Sequence, residues 1–180
     1  MHIMGGPTLP APSSAQRRLP GAWVCIAASD KGIAACTLPK RTPADALAEV
    51  DHSLGAPARG DSLLPIVGAA LRQYLAGQRT EFEFPLDLSR VRPFARRVLG
   101  AVARIPYGET RSYAEIARRV GSPGAARAVG QVMARNPLSP IVPCHRVIGS
   151  DGGLTGFGGG LGYKQFLLDM EGAGAAQAKG

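Results

Sequence analysis

The sequence predicts an α+β protein with two domains, and two observations along the chain lead to this prediction. Short apolar runs broken by turn residues fill residues 21–88 and indicate a small α/β domain, whereas apolar residues recur at helical spacing over 89–172. The charge changes at the same place: residues 1–88 carry eight Lys/Arg and eight Asp/Glu, whereas residues 89–180 carry thirteen and five. A basic excess confined to one domain favours a polyanionic partner, most simply DNA.

Residues 1–20 and 173–180 show neither pattern and are expected to form a flexible N-terminal tail and a disordered C-terminal tail. The chain contains no stretch of eighteen or more apolar residues, and its start lacks the apolar segment of a signal peptide. We therefore expect no membrane partner and a cytoplasmic, nucleoid-associated location.

The first domain opens with two apolar runs between Trp23 and Leu38 that predict a β-hairpin. If Asp30-Lys31 is the loop, Cys25 and Cys36 fall opposite each other. They then either bridge under oxidising conditions or act as two small buried residues, which is the interpretation we favour.

Two helices and an extended segment are expected to complete this domain. Thr42 and Pro43 predict the start of a helix that runs to about Ser53, followed by a loop. A second helix is predicted over 61–76, and the alternating residues 82–88 indicate an edge strand or an extended linker.

The second domain is predicted to be mostly helical. A stripe from Phe94 to Ile105 is followed by a turn at 106–109 and, much later, by a last helix over 161–171. Between them, a capping box at 112–115 opens one short helix that ends at Gly121.

The helix after Gly121 is predicted to have Ser122 as its cap and Pro123 at its first position, and to run to about Arg135. Two short helices joined by a tight glycine-containing turn are typical of a helix-turn-helix. Arg127 lies near the start of the second of them.

The stretch with the most chemical information is 142–148, which reads VPCHRVI. A cysteine is a strong nucleophile only as a thiolate, so a reactive Cys144 needs a base or cationic surroundings. His145 is adjacent, but neighbouring side chains of an extended segment point to opposite sides, so the pair would need a twisted backbone or a bridging water. The alternative is that Cys144 is only a small buried residue. The Cys and His spacing suits no metal site, and we predict no metal and no cofactor.

Several short motifs follow one another over about residues 90–172: IPYG with Ser112-Tyr113, ARAVG at 126–130, RNP at 135–137, PCHRVI at 143–148, GFGG at 156–159, and Lys164 with Leu167-Leu168 and Glu171-Gly172. In this order and at this spacing they resemble the O6-alkylguanine-DNA alkyltransferase family. The resemblance implies a ribonuclease H-like N-terminal domain and a winged helix-turn-helix C-terminal domain that carries the active site.

The resemblance also implies a mechanism. The alkyl group of O6-alkylguanine, flipped out of the duplex, would pass irreversibly and stoichiometrically to Cys144. His145 would deprotonate the thiol through a water, and Glu171 would hold His145 in the useful tautomer. Asn136 would tie the recognition helix to the active-site loop.

For DNA binding, the resemblance implies that Arg127 enters the duplex and fills the gap left by the flipped nucleotide, while Tyr113 crowds the 3′ phosphate and contacts the guanine. Small residues on the recognition helix suit a minor-groove contact that is largely independent of sequence. The expected DNA-binding residues are Ser122, Tyr113, Ala126, Arg127, Ala128, Gly130 and Arg135.

The expected substrate pocket comprises Tyr113, Ser139, Arg146, Val147, Phe157 and Gly158. Phe157 stands where the family usually has Tyr, which removes one hydroxyl from the pocket wall. Lys164 is expected to be structural or to contact a phosphate.

Three other functions are compatible with parts of the sequence. A lesion-binding relative without transfer would lack the acceptor cysteine, and a Cys-His hydrolase usually separates its two residues widely in sequence. A plain winged-helix regulator would leave 143–148 unexplained. We therefore expect a monomeric alkyltransferase that acts on double-stranded DNA.

Overall fold

The computed structural model describes residues 2–5, 23–50 and 63–173, which form two compact units. The first unit is Met1–Arg90 with Pro137–Ser139, and the second is Val91–Asn136 with Pro140–Gly180. None of the described helices is long and apolar enough to span a membrane.

The first unit contains a three-stranded antiparallel sheet in the order β1-β2-β3 and two helices that pack against β2. Its elements are β1 (His2–Gly5), β2 (Trp23–Ser29), β3 (Gly32–Cys36), α1 (Pro43–Glu49) and α2 (Leu63–Leu75). One buried cluster of the unit joins sheet and helix residues: Cys25, Ala35, Ala46 and Val50.

Two predicted boundaries of this unit are wrong. His2–Gly5, expected in the flexible tail, pairs with β2. The edge of β2 that faces away from β3 offers backbone N–H and C=O groups, and His2–Gly5 binds them. Helix α1 ends at Glu49 and not at about Ser53, because Val50 already has extended backbone angles (φ −78°, ψ 118°). Residues 51–62, which include the predicted loop, lie outside the described residues, as do 6–22.

The predicted hairpin is present, but its cysteines do not face each other. Ser29 pairs with Gly32 around the expected loop, and a bulge between Ala27 and Ala28 then shifts the register by one residue. Cys36 therefore pairs with Ile26, and Cys25 lies on the opposite face of the sheet. Both thiols are free and buried, and burial raises the pKa of each.

The outer edge of β3 is covered by two extended segments of the same unit. The Ile33 amide donates to the Pro85 carbonyl (2.8 Å), and the Cys36 amide donates to the Pro137 carbonyl (2.8 Å). Gly32 is required here, since it has a φ of +136° and any Cβ would lie 2.2 Å from the Pro85 oxygen. The predicted edge segment thus pairs with β3 at Leu86.

The second unit is mainly helical, and α3 packs against both α4 and α5. Its elements are α3 (Pro93–Val102), β4 (Arg111–Ser112), α4 (Tyr113–Arg119), α5 (Ala126–Ala134), a 3-10 turn (Cys144–Arg146), β5 (Val147–Ile148) and α6 (Leu161–Met170). Strands β4 and β5 pair in parallel, Arg111 with Val147 and Ser112 with Ile148.

The capping box of α4 is confirmed, but the start of α5 is not. Ser112 Oγ accepts from the Glu115 amide (3.2 Å), and the Glu115 carboxylate accepts from the Ser112 amide (2.6 Å). Helix α5 begins at Ala126, because the Ala125 amide bonds the Ser122 carbonyl (2.9 Å) and closes a turn around Pro123 and Gly124.

At the C-terminal end, α6 stops at Met170, and Gly172 takes the left-handed conformation (φ +74°) expected of a helix terminator. Ala173, expected in the disordered tail, is instead 1% exposed and packs with Ile148 and Leu168. This apolar contact fixes Ala173 in place three residues after the end of the helix. Residues 174–180 lie outside the described residues.

Candidate active site

The backbone around Cys144 is tightly turned. Pro143 has φ −79° and ψ 66°, and the Cys144 amide bonds the Val142 carbonyl (2.8 Å), which together form an inverse γ-turn. The Arg146 amide bonds the Pro143 carbonyl (2.9 Å) and closes a single 3-10 turn. With three residues per turn, successive side chains diverge by about 120°, so the backbone here is twisted and not extended.

The turn directs His145 and Arg146 at one carboxylate. His145 Nε2 lies 2.9 Å from Glu171 Oε1, Arg146 Nε donates to Oε2 (2.7 Å), and Arg146 Nη2 donates to Oε1 (2.8 Å). The Gly108 amide adds a fourth donor at 3.3 Å from Oε2. All three side chains are buried, and the end of α6 thereby holds the carboxylate of the following residue against the cysteine loop.

The cluster fixes the ionisation of its members. Burial alone would raise the pKa of Glu171, but the hydrogen bonds and charges of His145 and Arg146 outweigh it and hold that pKa well below its usual range. Burial lowers the pKa of His145, although Glu171 opposes the shift. The cluster therefore consists of a carboxylate, a guanidinium and a neutral imidazole at physiological pH.

Arg146 was predicted to line the substrate pocket, and in the structure it contacts Glu171 and the Ile105 carbonyl. Its Nε and Nη2 serve Glu171, and its Nη1 donates to the Ile105 carbonyl (2.6 Å). The guanidinium also lies over the Tyr107 ring at 5.7 Å. It therefore supports the Glu171 carboxylate, and its place in a substrate pocket stays a prediction.

Lys164 is the site residue whose position the sequence did not reveal. It is fully buried, and its Nζ donates to the carbonyls of Val147 (2.6 Å) and Thr155 (3.2 Å) and to Tyr113 Oη (3.4 Å). Burial lowers its pKa to about 8, and the charge of Cys144 acts against this shift. The ammonium is thus near enough to Cys144 to favour its thiolate.

Of the two expected roles of Lys164, the structural one agrees with its burial and its hydrogen bonds, whereas a phosphate contact does not. A sequence signal did exist: Lys164 shares the i, i+3, i+4 spacing of the buried Leu167 and Leu168 on α6. A lysine in the middle of an apolar helical stripe needs acceptors, and the backbone of the cysteine loop supplies one of them.

Tyr113 is the first residue of α4 and lies next to the Lys164 ammonium. Its hydroxyl donates to the Thr155 carbonyl (2.8 Å), and burial raises its pKa, with Cys144 adding to the shift. The ring faces Gly130 of α5, where an added Cβ would lie 3.8 Å from the ring edge. Tyr113 therefore links α4, α5 and the glycine-rich loop beside Cys144.

The remaining predicted residues divide into connecting and exposed ones. Asn136 Nδ2 donates to the Val142 carbonyl (2.8 Å), which ties the end of α5 to the cysteine loop. Arg127 and Arg135 are exposed at the two ends of α5. Partly exposed positions are Ser122, Ala126 and Ala128.

Among the predicted pocket residues, Val147 is fully buried and Phe157 stacks on Tyr163, with ring centroids 6.5 Å apart. Gly158 is exposed, and an added Cβ would lie 3.3 Å from the Ala134 carbonyl. Ser139 is buried and belongs to the first unit. Its place in a pocket stays a prediction.

Taken together, the second unit holds a nucleophile, a neutral imidazole and a carboxylate that orients it, with a buried cation close by. Within 2–5, 23–50 and 63–173, no group of three His, Cys, Asp or Glu residues is placed to hold a metal ion.

Comparisons with known proteins agree with this arrangement. Residues 93–173 match the sequence profile of the 6-O-methylguanine DNA methyltransferase, DNA binding domain. The methylated-DNA–protein-cysteine methyltransferase of Mycolicibacterium paratuberculosis is 59% identical over 101 residues, which cover 56% of this chain and 61% of the relative. The aligned segment thus spans about three fifths of that relative's length.

Solved structures extend the similarity to both units. The crystal structure of Mycobacterium tuberculosis OGT in complex with DNA superimposes with a TM-score of 0.69 at 41% identity, covering 86% of this chain and 89% of that one. O6-methylguanine-DNA methyltransferase from the archaeon Pyrococcus kodakaraensis gives a TM-score of 0.62 at 26% identity, covering 83% and 91%. Similarity of this identity and coverage confirms the predicted family, and the chain belongs to the O6-methylguanine DNA methyltransferases.

Proposed function

We propose that this protein repairs DNA by direct reversal, taking the alkyl group from O6-alkylguanine onto Cys144. The observation that carries the proposal is the 3-10 turn, which places Cys144 beside a buried His145–Glu171 pair and near the Lys164 ammonium. The family relatives are named methylated-DNA–protein-cysteine methyltransferases, and their name describes the same chemistry.

In the proposed reaction His145 acts as a neutral base. Its Nε2–H donates to Glu171, so Nδ1 is the basic nitrogen that accepts the thiol proton, directly or through water. The thiolate then attacks the alkyl carbon in line; the Sγ–C bond forms as the C–O6 bond breaks, and its electron pair stays on guanine. The product thioether has no easy leaving path, so each protein molecule reacts once.

The burial of the nucleophile explains why the base must leave the duplex. Cys144 is 3% exposed, so a stacked and paired base cannot reach its Sγ. A flipped base can enter the site, and the exposed Arg127 at the second position of α5 fills the gap left behind. Tyr113 and the Gly158 amide are proposed to contact the flipped guanine.

The mode of DNA binding, the folds of the two domains and the oligomeric state are proposed as the sequence predicts them. The small residues of α5 suit a minor-groove contact, and the exposed arginines of the second unit suit sequence-independent binding to phosphates. We assign α4, α5 and the β4–β5 pair to a winged helix-turn-helix, and the sheet and helices of the first unit to a ribonuclease H-like domain. The protein is proposed to act as a monomer on nucleoid DNA in the cytoplasm.

The test is a mass measurement on the intact protein after incubation with duplex that contains O6-methylguanine. One added methyl per molecule, mapped to the Cys144 peptide, is the expected result. Cys144→Ser should bind the duplex within a few-fold and gain no mass, because a hydroxyl is a far poorer nucleophile at neutral pH. Cys36→Ala is the matched control and should still gain one methyl.

Two results would contradict the proposal. Lesion binding by the wild type without any gain in mass would make the protein a lesion sensor. Transfer by Cys144→Ser, or several turnovers per molecule, would remove Cys144 as the acceptor.

A further inference from the structure

A stretch of purely positive charge surrounds α3, outside the helices assigned above to the lesion. Between Asp87 and Glu109 the sequence has five arginines and no acidic residue. Four of them, Arg92, Arg96, Arg97 and Arg104, belong to the second unit, and all four are exposed. Neither the catalytic cluster nor the α4–α5 pair uses them.

Helix α3 has one buried side and one outward side. Its buried residues are Val98, Leu99, Ala101 and Val102, and the helix packs against α4 and α5. Two of the arginines are held along the helix start: Arg96 Nη2 donates to the Val91 carbonyl (3.3 Å), and the Arg97 guanidinium lies over the Phe94 ring at 5.8 Å. Holding these side chains in place lowers the entropy that they lose on binding a ligand.

Gly100 lies on the same outward side, one turn after Arg96. A Cβ at this position would meet no atom within 4 Å, so packing does not require glycine. Glycine in a helix interior is less stable than alanine, and no packing contact in α3 explains the choice of glycine here. A bare stretch of helix backbone beside exposed guanidiniums does, however, let a bulky polyanion approach closely.

We propose that the outward side of α3 and the two exposed arginines that flank the helix, together the α3 basic face (Arg92, Arg96, Arg97, Gly100 and Arg104), form a second contact for the phosphate backbone of duplex DNA. Guanidinium groups pair with phosphate oxygens through charge-assisted hydrogen bonds, and the absence of acidic residues over 88–108 favours a partner with many negative charges. The proposal rests on the proposed function for the identity of that partner. The α3 basic face then binds phosphates away from the flipped base.

The test compares a double variant and a pair of Gly100 variants with the wild type. The double variant Arg96→Ala with Arg97→Ala removes two cations, and Gly100→Glu places a carboxylate in the middle of the face. Gly100→Gln is the matched control, since it has the same size and no charge. Duplex affinity is measured over a range of salt concentrations, and methyl transfer is measured from free O6-methylguanine base.

The expected results separate this contact from the repair reaction. The double variant should lower the slope of log affinity against log salt by roughly two, because each phosphate contact contributes about 0.9. Gly100→Glu should weaken duplex binding at least about tenfold relative to Gly100→Gln at low salt. Transfer from the free base should match the wild type in all variants, which also shows that they fold.

An unchanged salt slope in the double variant, together with equal affinities of the two Gly100 variants, would overturn the proposal. If wild-type protein binds no duplex, or transfers no methyl group, the proposed function itself has failed. The two failures are distinguishable, because the first leaves wild-type binding and transfer intact.

Discussion

Glu171→Gln tests the idea that one buried carboxylate supports both the fold and the reaction. Glu171 accepts hydrogen bonds from His145, twice from Arg146, and from the Gly108 amide. Glutamine has nearly the same shape but only one acceptor oxygen, and its amide N–H groups would face other donors. The substitution also leaves the buried Arg146 guanidinium without its counter-ion.

The structure sets the size of both effects. Removing one partner of a buried ion pair costs about 3–5 kcal/mol, and the retained oxygen of glutamine places the expected loss near the lower end, about 3 kcal/mol. A positioned general base contributes roughly 10²–10⁴-fold to a rate, so a misoriented His145 should slow transfer by about 100-fold or more. The loss in the free energy of unfolding is a large part of an ordinary domain's total of about 5–15 kcal/mol.

Urea unfolding and single-turnover transfer at saturating protein measure the two quantities. Asp169→Asn is the control: this exposed carboxylate, two residues earlier in the chain, accepts an exposed hydrogen bond from Gln165, and its loss should change stability by about 0.5 kcal/mol or less. A Glu171→Gln protein that loses less than about 1 kcal/mol, the size of one ordinary hydrogen bond, and transfers at the wild-type rate would refute the reasoning.

Three further predictions concern the same unit. The free energy of unfolding should fall as pH drops below about 6.5 and again below about 4.5, because the unfolded chain then takes up protons that folded His145 and Glu171, with lowered pKa values, do not; a flat profile from pH 7 to 4 would contradict this. Lys164→Met should slow transfer by about tenfold or more below pH 8, since a nearby cation is worth over about 1 kcal/mol to a thiolate. That deficit should shrink above pH 8, where wild-type Lys164 loses its proton; a pH-independent deficit would indicate a purely structural lysine. Arg127→Ala should slow repair of duplex far more than transfer from free O6-methylguanine base, which needs no flipping, and equal losses in single-turnover assays would exclude the gap-filling role.

Signals that act over a few residues could be predicted from the sequence. The capping box at Ser112 and Glu115 and the left-handed Gly172 at the end of α6 depend only on local backbone geometry, and both are where the sequence places them. The hairpin loop at Asp30-Lys31 is equally local. The order and spacing of the motifs from Ile105 to Gly172 also predicted the family, because both are read directly from the sequence and do not depend on tertiary contacts.

What the sequence left undecided depends on contacts between distant segments. The bulge after Ala27 shifts the strand register by one residue, and no sequence pattern within the two strands predicts it. The contacts of Arg146 could not be predicted, because its acceptors, Ile105 and Glu171, lie 41 and 25 residues away. Lys164 can be buried because the Val147 carbonyl, seventeen residues earlier, accepts a hydrogen bond from its ammonium. The sequence by itself therefore determined the family and the local turns and caps, whereas tertiary packing decided which donor each acceptor meets and, through burial, which groups are charged.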